Sequence, residues 1–342
     1  MKILLGLSGG VDSAYAARRL MDLGHSVEGA ILIMHEHTEI SAAEQVALEL
    51  GINLHKVDCR KEFDAVIKQN LIDEYMSGRT PNPCILCNEK VKFHYLHSFA
   101  KSLGFDKIAT GHYARIVENT SAAGTRYSVA SAKDTSKDQT YMLYRLPQSI
   151  LKDTVFPLGE FEKSTVRNEA REHGISAADR SDSQEICFLP DGNYADFIED
   201  RVGKCPEGDF VDQNGNILGR HKGIIRYTVG QRKGLGISLG ERVFVTAINK
   251  ESNCITLSSS NEGKREVIVE NLVFSGFAPQ DLLDGMELEV KLRYTAPPLK
   301  TVVNKLEDGT VRLSFEPPVK AAPGQSAVLY KNGCVVFGGI IK

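Results

Sequence analysis

The stretch Lys2-Ile3-Leu4-Leu5-Gly6-Leu7-Ser8-Gly9-Gly10-Val11-Asp12-Ser13 decides how this chain folds. Lys2 to Leu7 is a short apolar run of the kind that makes a buried strand, and Ser8-Gly9-Gly10 breaks it with a turn. Asp12 to Leu23 then carries Ala14, Ala17, Leu20 and Met21 at helical spacing, with Gly24 as the stop. A strand that feeds a helix through a glycine turn gathers free backbone N–H groups at the positive end of the helix dipole, which suits a phosphate. Ser8 and Ser13 add two hydroxyls. The Gly-Lys-Ser/Thr ending of a Walker A loop is absent, and so is the GxGxxG dinucleotide fingerprint.

Outward from this stretch the alternation continues. Val27 to Ile33 reads as a strand buried on both faces, Ser41 to Leu50 as a helix stopped by Gly51, and Asn53 to Val57 as a strand. Helices are predicted over Lys61 to Met76 and Asn88 to Leu103, and a strand over Lys107 to Thr110. The pattern predicts an α/β domain with a parallel sheet over residues 1–200, its ligand at the edge where the first strand ends. From Asp209 the texture changes to β-branched segments separated by turns such as DQNGN at 212–216, EDG at 307–309 and KNG at 331–333. Asn-Gly and Asp-Gly turns between apolar runs signal hairpins. Two small β domains are expected, 201–262 and 263–342, divided near Asn261 to Lys264.

Composition narrows the function. The chain has 342 residues, 42% of them apolar, and a formal charge of -3, which excludes a uniformly basic nucleic-acid coat. Residues 1–200 hold 22 basic and 29 acidic side chains, whereas 201–342 hold 19 and 15. Between Asp212 and Glu241 there is no acid, only Arg220, Lys222, Arg226, Arg232 and Lys233, which reads as a local patch for a polyanion or as a solvated loop. Apolar runs fall far short of the ~20 residues of a membrane span. Seven cysteines, an odd number, argue against a disulfide scaffold and for a cytoplasmic protein with no membrane partner.

Two cysteines have chemical surroundings. Thr80-Pro81-Asn82-Pro83-Cys84-Ile85-Leu86-Cys87-Asn88 is a proline-stiffened loop entering a helix, where the dipole is expected to lower the Cys87 pKa. No second CxxC or His pair completes a zinc site, and the setting of a thioredoxin-type redox pair is missing. Ser181-Asp182-Ser183-Gln184-Glu185-Ile186-Cys187-Phe188 places Cys187 among polar residues. Cys59, Cys205, Cys254 and Cys334 read as small buried hydrophobes. Thr110-Gly111-His112-Tyr113-Ala114-Arg115 should lie at the same sheet edge as the phosphate loop. Lys137-Asp138-Gln139-Thr140-Tyr141 and Val229-Gly230-Gln231-Arg232-Lys233-Gly234 offer polar and basic groups to RNA.

SGGxDS after the first strand looks like the PP-loop of the ATP pyrophosphatases, which adenylate a carbonyl oxygen and release pyrophosphate. With TPNPCxxCN, ATGHYAR, KDQTYML, SDSQEICF and VGQRKGLG in this order, the chain resembles the bacterial tRNA-specific 2-thiouridylase family over nearly its whole length. That resemblance implies a PP-loop domain, a small central β domain and a C-terminal β-barrel. It implies a tRNA with a wobble uridine as substrate, ATP and Mg2+ as cofactors, and a cysteine desulfurase or sulfur-carrier protein as donor. ATP contacts would fall on Gly6, Leu7, Ser8, Gly9, Gly10, Val11, Asp12, Ser13, Leu32 and Gly111. The target base would meet Asn82, Pro83 and Cys84, and the rest of the tRNA His112, Lys137, Asp138, Gln139, Arg293, Tyr294 and Gln325. Cys187 would carry sulfur as a persulfide, with Cys87 as the catalytic partner that ends disulfide-linked to it. Many family members have Asp where this chain has Cys84. Cys84, Cys87 and Cys187 could therefore ligate a [4Fe-4S] cluster instead, a metal route that stands beside the persulfide route. Another PP-loop ligase, or a non-catalytic tRNA-binding or redox-sensing protein, are the competing functions.

Overall fold

The computed structural model describes residues 1–180, 186–189, 193–260 and 262–342. Ser181 to Glu185 of the second cysteine motif and Asn261 at the expected domain division lie outside the described residues. In the first part, β1 (Lys2–Gly6), β2 (Ser26–Ile33), β3 (Leu54–Asp58), β4 (Lys107–Thr110) and β7 (Thr154–Val155) form one parallel sheet in the order β3-β2-β1-β4-β7. Ile3, Leu4 and Leu5 are fully buried because β1 is central and covered on both faces. Helix α1 (Val11–Asp22) lays Ala14, Ala16, Ala17 and Leu20 on the sheet, and these small residues let its backbone come close. After β1 the chain crosses to β2 on one side, and β4 lies on the other. That strand-order reversal opens a crevice at the carboxyl ends of β1 and β4. The helix α2 (Ile40–Leu50) ends on Gly51 in the left-handed conformation, as its sequence predicts.

The next two helices differ from expectation. Helix α3 (60–76) contains a π-helical stretch, Phe63–Lys68, between its α turns. Helix α4 (83–102) starts at Pro83, five residues before the predicted Asn88, and has a second π stretch at Asn88–Lys92. Asn82 is its N-cap, accepting the Cys84 N–H at 3.2 Å, and Pro83 takes the first helical position, where its missing N–H costs nothing. The CxxC therefore lies inside the helix.

The β half also differs. Strands β8 (Gly208–Val211), β9 (Ile217–His221), β10 (Phe244–Asn249) and β11 (Cys254–Ser258) make a small sheet ordered β10-β11-β8-β9. Strands β12 (Lys264–Phe274), β13 (Met286–Lys291), β14 (Leu299–Lys305), β15 (Val311–Val319), β16 (Ser326–Lys331) and β17 (Cys334–Ile341) close into a six-stranded antiparallel barrel through the β12–β17 pairing. A hairpin not anticipated from the sequence, β5 (Arg115–Ser121) with β6 (Gly124–Ala130), leaves the α/β part and joins the barrel sheet at Ala130 opposite Cys334. Among the described residues no helix is long and apolar enough to cross a membrane.

The barrel is bolted to the α/β part beside the cysteine loop. Tyr141 Oη donates to the Ser326 carbonyl at 2.9 Å, and Tyr144 Oη meets Ser326 Oγ at 3.1 Å. Thr80 N–H donates to the Pro323 carbonyl at 2.9 Å, and Gln325 Nε2 to the Thr80 carbonyl at 2.8 Å.

Candidate active site

The glycine turn is shaped by its own residues. Gly9 has φ +81, and a Cβ there would lie 2.6 Å from Ala42 Cβ and 2.7 Å from the Ala42 carbonyl carbon, so only glycine lets the turn pass α2. Ser13 Oγ donates to the Gly10 carbonyl at 3.0 Å, accepts from Ser8 N–H at 3.2 Å and meets Ser8 Oγ at 3.2 Å. Gly10 is the N-cap of α1, leaving the N–H groups of the first turn open to the crevice. Gly111, after β4, presses on the same point: a Cβ on it would fall 2.7 Å from Asp12 C and Ser13 N. Leu32 lies near the carboxyl end of β2, opposite Val57. Gly6 to Ser13, Leu32 and Gly111 thus share the carboxyl edge of the sheet.

Sequence reasoning passed over the groups that hold Asp12. Lys163 at the start of helix α5 (Lys163–Glu172) places its Nζ 2.7 Å from both Asp12 carboxylate oxygens, and Tyr113 Oη donates to Oδ1 at 2.8 Å. Arg180 Nη1 donates to the Gly9 carbonyl at 3.3 Å. These partners come from more than a hundred residues away, so no local signal announces them. Asp12 is already neutralised by an ammonium and is not a ready-made magnesium ligand; a magnesium ion would arrive with the nucleotide as part of the substrate.

The cysteines lie one loop away. Cys87 is buried against Met34, its Sγ 3.9 Å from Met34 Sδ. Burial pushes its thiol up to about 12, with Lys92 opposing. The expected lowering by the helix dipole fails because Cys87 sits a full turn inside α4 and out of water, and Cys84 occupies the position near the helix start. Cys187 is exposed, in a turn closed by the Leu189 N–H to the Ile186 carbonyl at 2.8 Å. Phe188 anchors that turn with its ring 5.3 Å from Phe63 and 5.5 Å from Phe197. Desolvation raises the Cys187 thiol too, again against Lys92. Cys84, Cys87 and Cys187 all act on the Lys92 ammonium and hold it charged in spite of its burial. His112 faces the same lysine, and burial, aided by that charge, drops its pKa to about 3. Thr110 Oγ1 lies 2.8 Å from His112 Nδ1 and fixes the ring. A further neutral imidazole, His35, is buried beside Phe63 with its Nδ1 unpartnered.

Among the described residues no three His, Cys, Asp or Glu side chains converge on a point that a metal ion could occupy. Of the remaining cysteines only Cys59 is fully buried; Cys205, Cys254 and Cys334 are partly exposed, which corrects their reading as core residues.

The residues expected to touch RNA fall into two groups. Asn82, Pro83 and Cys84 form the start of α4, and Gln325 clasps the loop before it. Asp138 and Gln139 spend their side chains inside the protein: Asp138 Oδ2 accepts the Ala132 N–H at 2.9 Å, and Gln139 Oε1 accepts the Tyr113 N–H at 2.9 Å. Arg293 and Tyr294 are half-buried in the turn after β13, with Tyr294 6.2 Å from the Tyr141 ring and Arg293 close to Gly230. Lys137 lies on the same turn as Asp138. In the basic stretch, Arg220 is paired with Asp209, and Arg226 with Asp196 and Glu199. Arg232 and Arg242 line an open cavity of about 500 Å3 in the central domain.

Comparison with known proteins adds three family matches in sequence order. Residues 1–191 match the family described as tRNA methyl transferase HUP domain, 195–259 its PRC-barrel domain, and 264–341 the aminomethyltransferase beta-barrel domain. The chain is 42% identical to the tRNA-specific 2-thiouridylase of Clostridium perfringens over 359 residues, covering 100% of this chain and 98% of that one. It is also 42% identical to the proteins of the same name from Clostridium acetobutylicum and Acetivibrio thermocellus, covering 100% of this chain and 99% of each.

Proposed function

The chain belongs to the tRNA-specific 2-thiouridylase family, and on that footing we propose that it transfers sulfur to C2 of a wobble uridine in tRNA at the expense of ATP. The observation that carries this reading is a continuous path from phosphate loop to thiols. A Cβ on Gly111 would meet the backbone of Asp12 and Ser13, His112 follows it, and the Lys92 charge acts on His112 and on the thiols of Cys87 and Cys187.

The chemistry needs both halves. The uridine C2 carbonyl is a weak electrophile and its oxygen a poor leaving group. Transfer of AMP to O2, with release of pyrophosphate, makes that oxygen leave as part of AMP. The N–H groups at the start of α1 face the charge that develops on the phosphates. Cys187 is exposed and can be loaded by a donor protein, whereas Cys87 is buried and cannot. The terminal sulfur of a Cys187 persulfide attacks C2, the C2–O2 bond breaks and AMP departs. Cys87 then attacks the Cys187 sulfur, breaking the S–S bond, releasing the thiouridine and leaving a Cys87–Cys187 disulfide, which an external thiol reductant must reopen. Cys84, where an acid is usual in the family, starts no step in this scheme. The partner desulfurase or sulfur carrier would approach the exposed Cys187 turn.

The test uses unmodified tRNA, Mg-ATP and a persulfide donor, with thiouridine measured by nucleoside mass spectrometry and pyrophosphate release in parallel. Protein stripped of iron should form thiouridine as fast as untreated protein, and Cys84→Asp should retain activity. Dependence on bound iron, with loss in Cys84→Asp, would overturn the persulfide route in favour of a cluster. Absence of tRNA-dependent pyrophosphate release would overturn the thiolation reading itself.

A further inference from the structure

Lys92 is a cation that the scheme above has not used, and its position is unusual. In an α-helix five residues turn through about 500°, so residue 92 would sit about 140° round the helix from residue 87. The π stretch Asn88–Lys92 widens that turn to i→i+5 bonding, and residue 92 comes back over residue 87. Lys92 is half-buried there, and Cys87, Cys84 and Cys187 together raise its pKa against the effect of burial. The Asn88 amide holds the stretch in place by donating to the Met142 carbonyl at 2.9 Å.

Among the described residues the two buried lysines have acids beside them, whereas Lys92 is half-buried. Lys68 Nζ lies 3.2 Å from Asp64, and Lys163 Nζ 2.7 Å from Asp12. The groups that hold Lys92 charged are cysteine sulfurs. An ammonium with little water around it favours an anion, and among the described residues the groups that raise its pKa are thiols that become anions during sulfur transfer.

We propose that Lys92 is the counter-cation of the travelling sulfur: its ammonium holds the persulfide anion of Cys187 as it attacks C2, and then the Cys87 thiolate as it attacks the Cys187 sulfur. The inference rests on the sulfur-transfer reading and adds to it a residue with a defined part. Lys92 gains and loses no proton in either step. The electron pair that forms the C2–S bond comes from the persulfide, the C2–O2 pair leaves with AMP, and the S–S pair leaves with the thiouridine. Helical distortion at 88–92 follows as the means of putting a charge beside Cys87 without a partner acid that would compete for it.

The experiment compares wild type, Lys92→Met and Lys92→Arg, loaded with inorganic polysulfide as the sulfur source. Three readouts are taken: tRNA-dependent pyrophosphate release, single-turnover thiouridine formation, and the rate of iodoacetamide alkylation at each cysteine by peptide mass spectrometry. Lys92→Met should release pyrophosphate within about twofold of wild type, yet form thiouridine about 10- to 100-fold more slowly, the range expected for losing a charged hydrogen-bond partner. Alkylation of Cys187 should slow as well, and Lys92→Arg should restore most of both rates. Thiouridine formation at the wild-type rate in Lys92→Met would overturn the proposal. An equal loss of pyrophosphate release would also overturn it, by assigning Lys92 to adenylation. If wild type itself released no pyrophosphate and made no thiouridine, the thiolation reading would fall. The alkylation arm would still decide the lysine, since an unchanged Cys187 rate in Lys92→Met refutes its pairing with sulfur.

Discussion

Gly9 and Gly10 are neighbours in the same turn, yet alanine should affect them in opposite ways. Gly9 has φ +81, a region that costs an L-residue ~1–2 kcal/mol. Its added Cβ would also meet Ala42 Cβ at 2.6 Å and Ala43 N at 2.8 Å, backbone and near-backbone atoms of α2 that cannot swing away. Such overpacking adds ~1–3 kcal/mol, for a combined ~2–5 kcal/mol out of the ~5–15 kcal/mol that holds a domain together. Gly10 has φ -84, and its Cβ would touch only Ser8 Oγ at 3.6 Å. Alanine there weakens the N-cap by ~1 kcal/mol or less. Its methyl group, however, would stand at the N–H groups that receive the phosphates. Gly9→Ala should therefore lower the thermal midpoint by ~5–15 °C. Gly10→Ala should melt within about 3 °C of wild type while its KM for ATP in tRNA-dependent pyrophosphate release rises at least tenfold. Differential scanning fluorimetry and a pyrophosphate assay on the two variants suffice. If Gly9→Ala melts like wild type, or Gly10→Ala is the less stable of the two, the packing of the turn against α2 is not what makes these glycines necessary.

Other expectations follow from the same geometry. With Cys87 pushed up to about 12 and Cys187 exposed, iodoacetamide at pH 8 should label Cys187 well before Cys87; equal labelling would show that Cys87 is not buried in solution. His112, held neutral down to about pH 3, should make the fold acid-sensitive. An unfolded histidine takes up a proton below about 6.5, so stability is intact above that pH and falls by at most ~1.4 kcal/mol per unit as pH drops from there toward 3. His112→Gln should flatten urea-melt stability between pH 6.5 and 4.5, and an unchanged slope would count against the burial. Gly324 has φ +88, and a Cβ on it would fall 2.8 Å from Thr80 N. Gly324→Ala should loosen the barrel from the cysteine loop by ~2–4 kcal/mol, visible as faster limited proteolysis at residues 79–82. Cleavage at the wild-type rate would mean the clasp is dispensable.

The parallel sheet was legible because its central strands β1 and β4 are largely buried and its first two helices are followed by a glycine, so local pattern and tertiary role agree. Gly24 and Gly51 mark the ends of α1 and α2 where the pattern places them. The β5–β6 hairpin escaped because its turn is Ala122-Ala123-Gly124, without the Asn-Gly or Asp-Gly signal, and only Gly124, at φ +90, carries the reversal. Its allegiance to the barrel comes from distant partners, the register pair of Ala130 with Cys334 and the Arg126 guanidinium donating to the Phe274 and Ser275 carbonyls, 148 to 204 residues apart along the chain. Nothing local encodes that. The start of α4 was misplaced for a different reason. Asn82-Pro83 is a sound N-cap with proline at the first position, but the two prolines around Asn82 also read as loop, and the capping geometry decides between them.

At the site, residue types were readable and environments were not. A cysteine one turn into a helix has a low or a high pKa according to whether water reaches it, and Met34, brought there by β2, keeps water from Cys87. Lys92 carried no signal in the sequence because the period that brings it over Cys87 is i→i+5, which no 3.6-residue pattern reports. These two omissions have one consequence. A buried Cys87, pushed up to about 12, is a protonated spectator while Cys187 is being loaded, so it cannot discharge the persulfide prematurely. It becomes a nucleophile only after its proton has somewhere to go and its charge has a partner. The proton leaves with the departing thiouridine, whose anion takes it up, and the ammonium of Lys92 opposes the rise of the Cys87 thiol. The order of the two sulfur steps, loading before release, is thus imposed by burial, and a mutation that opens Cys87 to water, such as Met34→Ala, should release sulfide from polysulfide-loaded protein in the absence of tRNA. A Met34→Ala protein that keeps its persulfide as long as wild type would sever burial from that order.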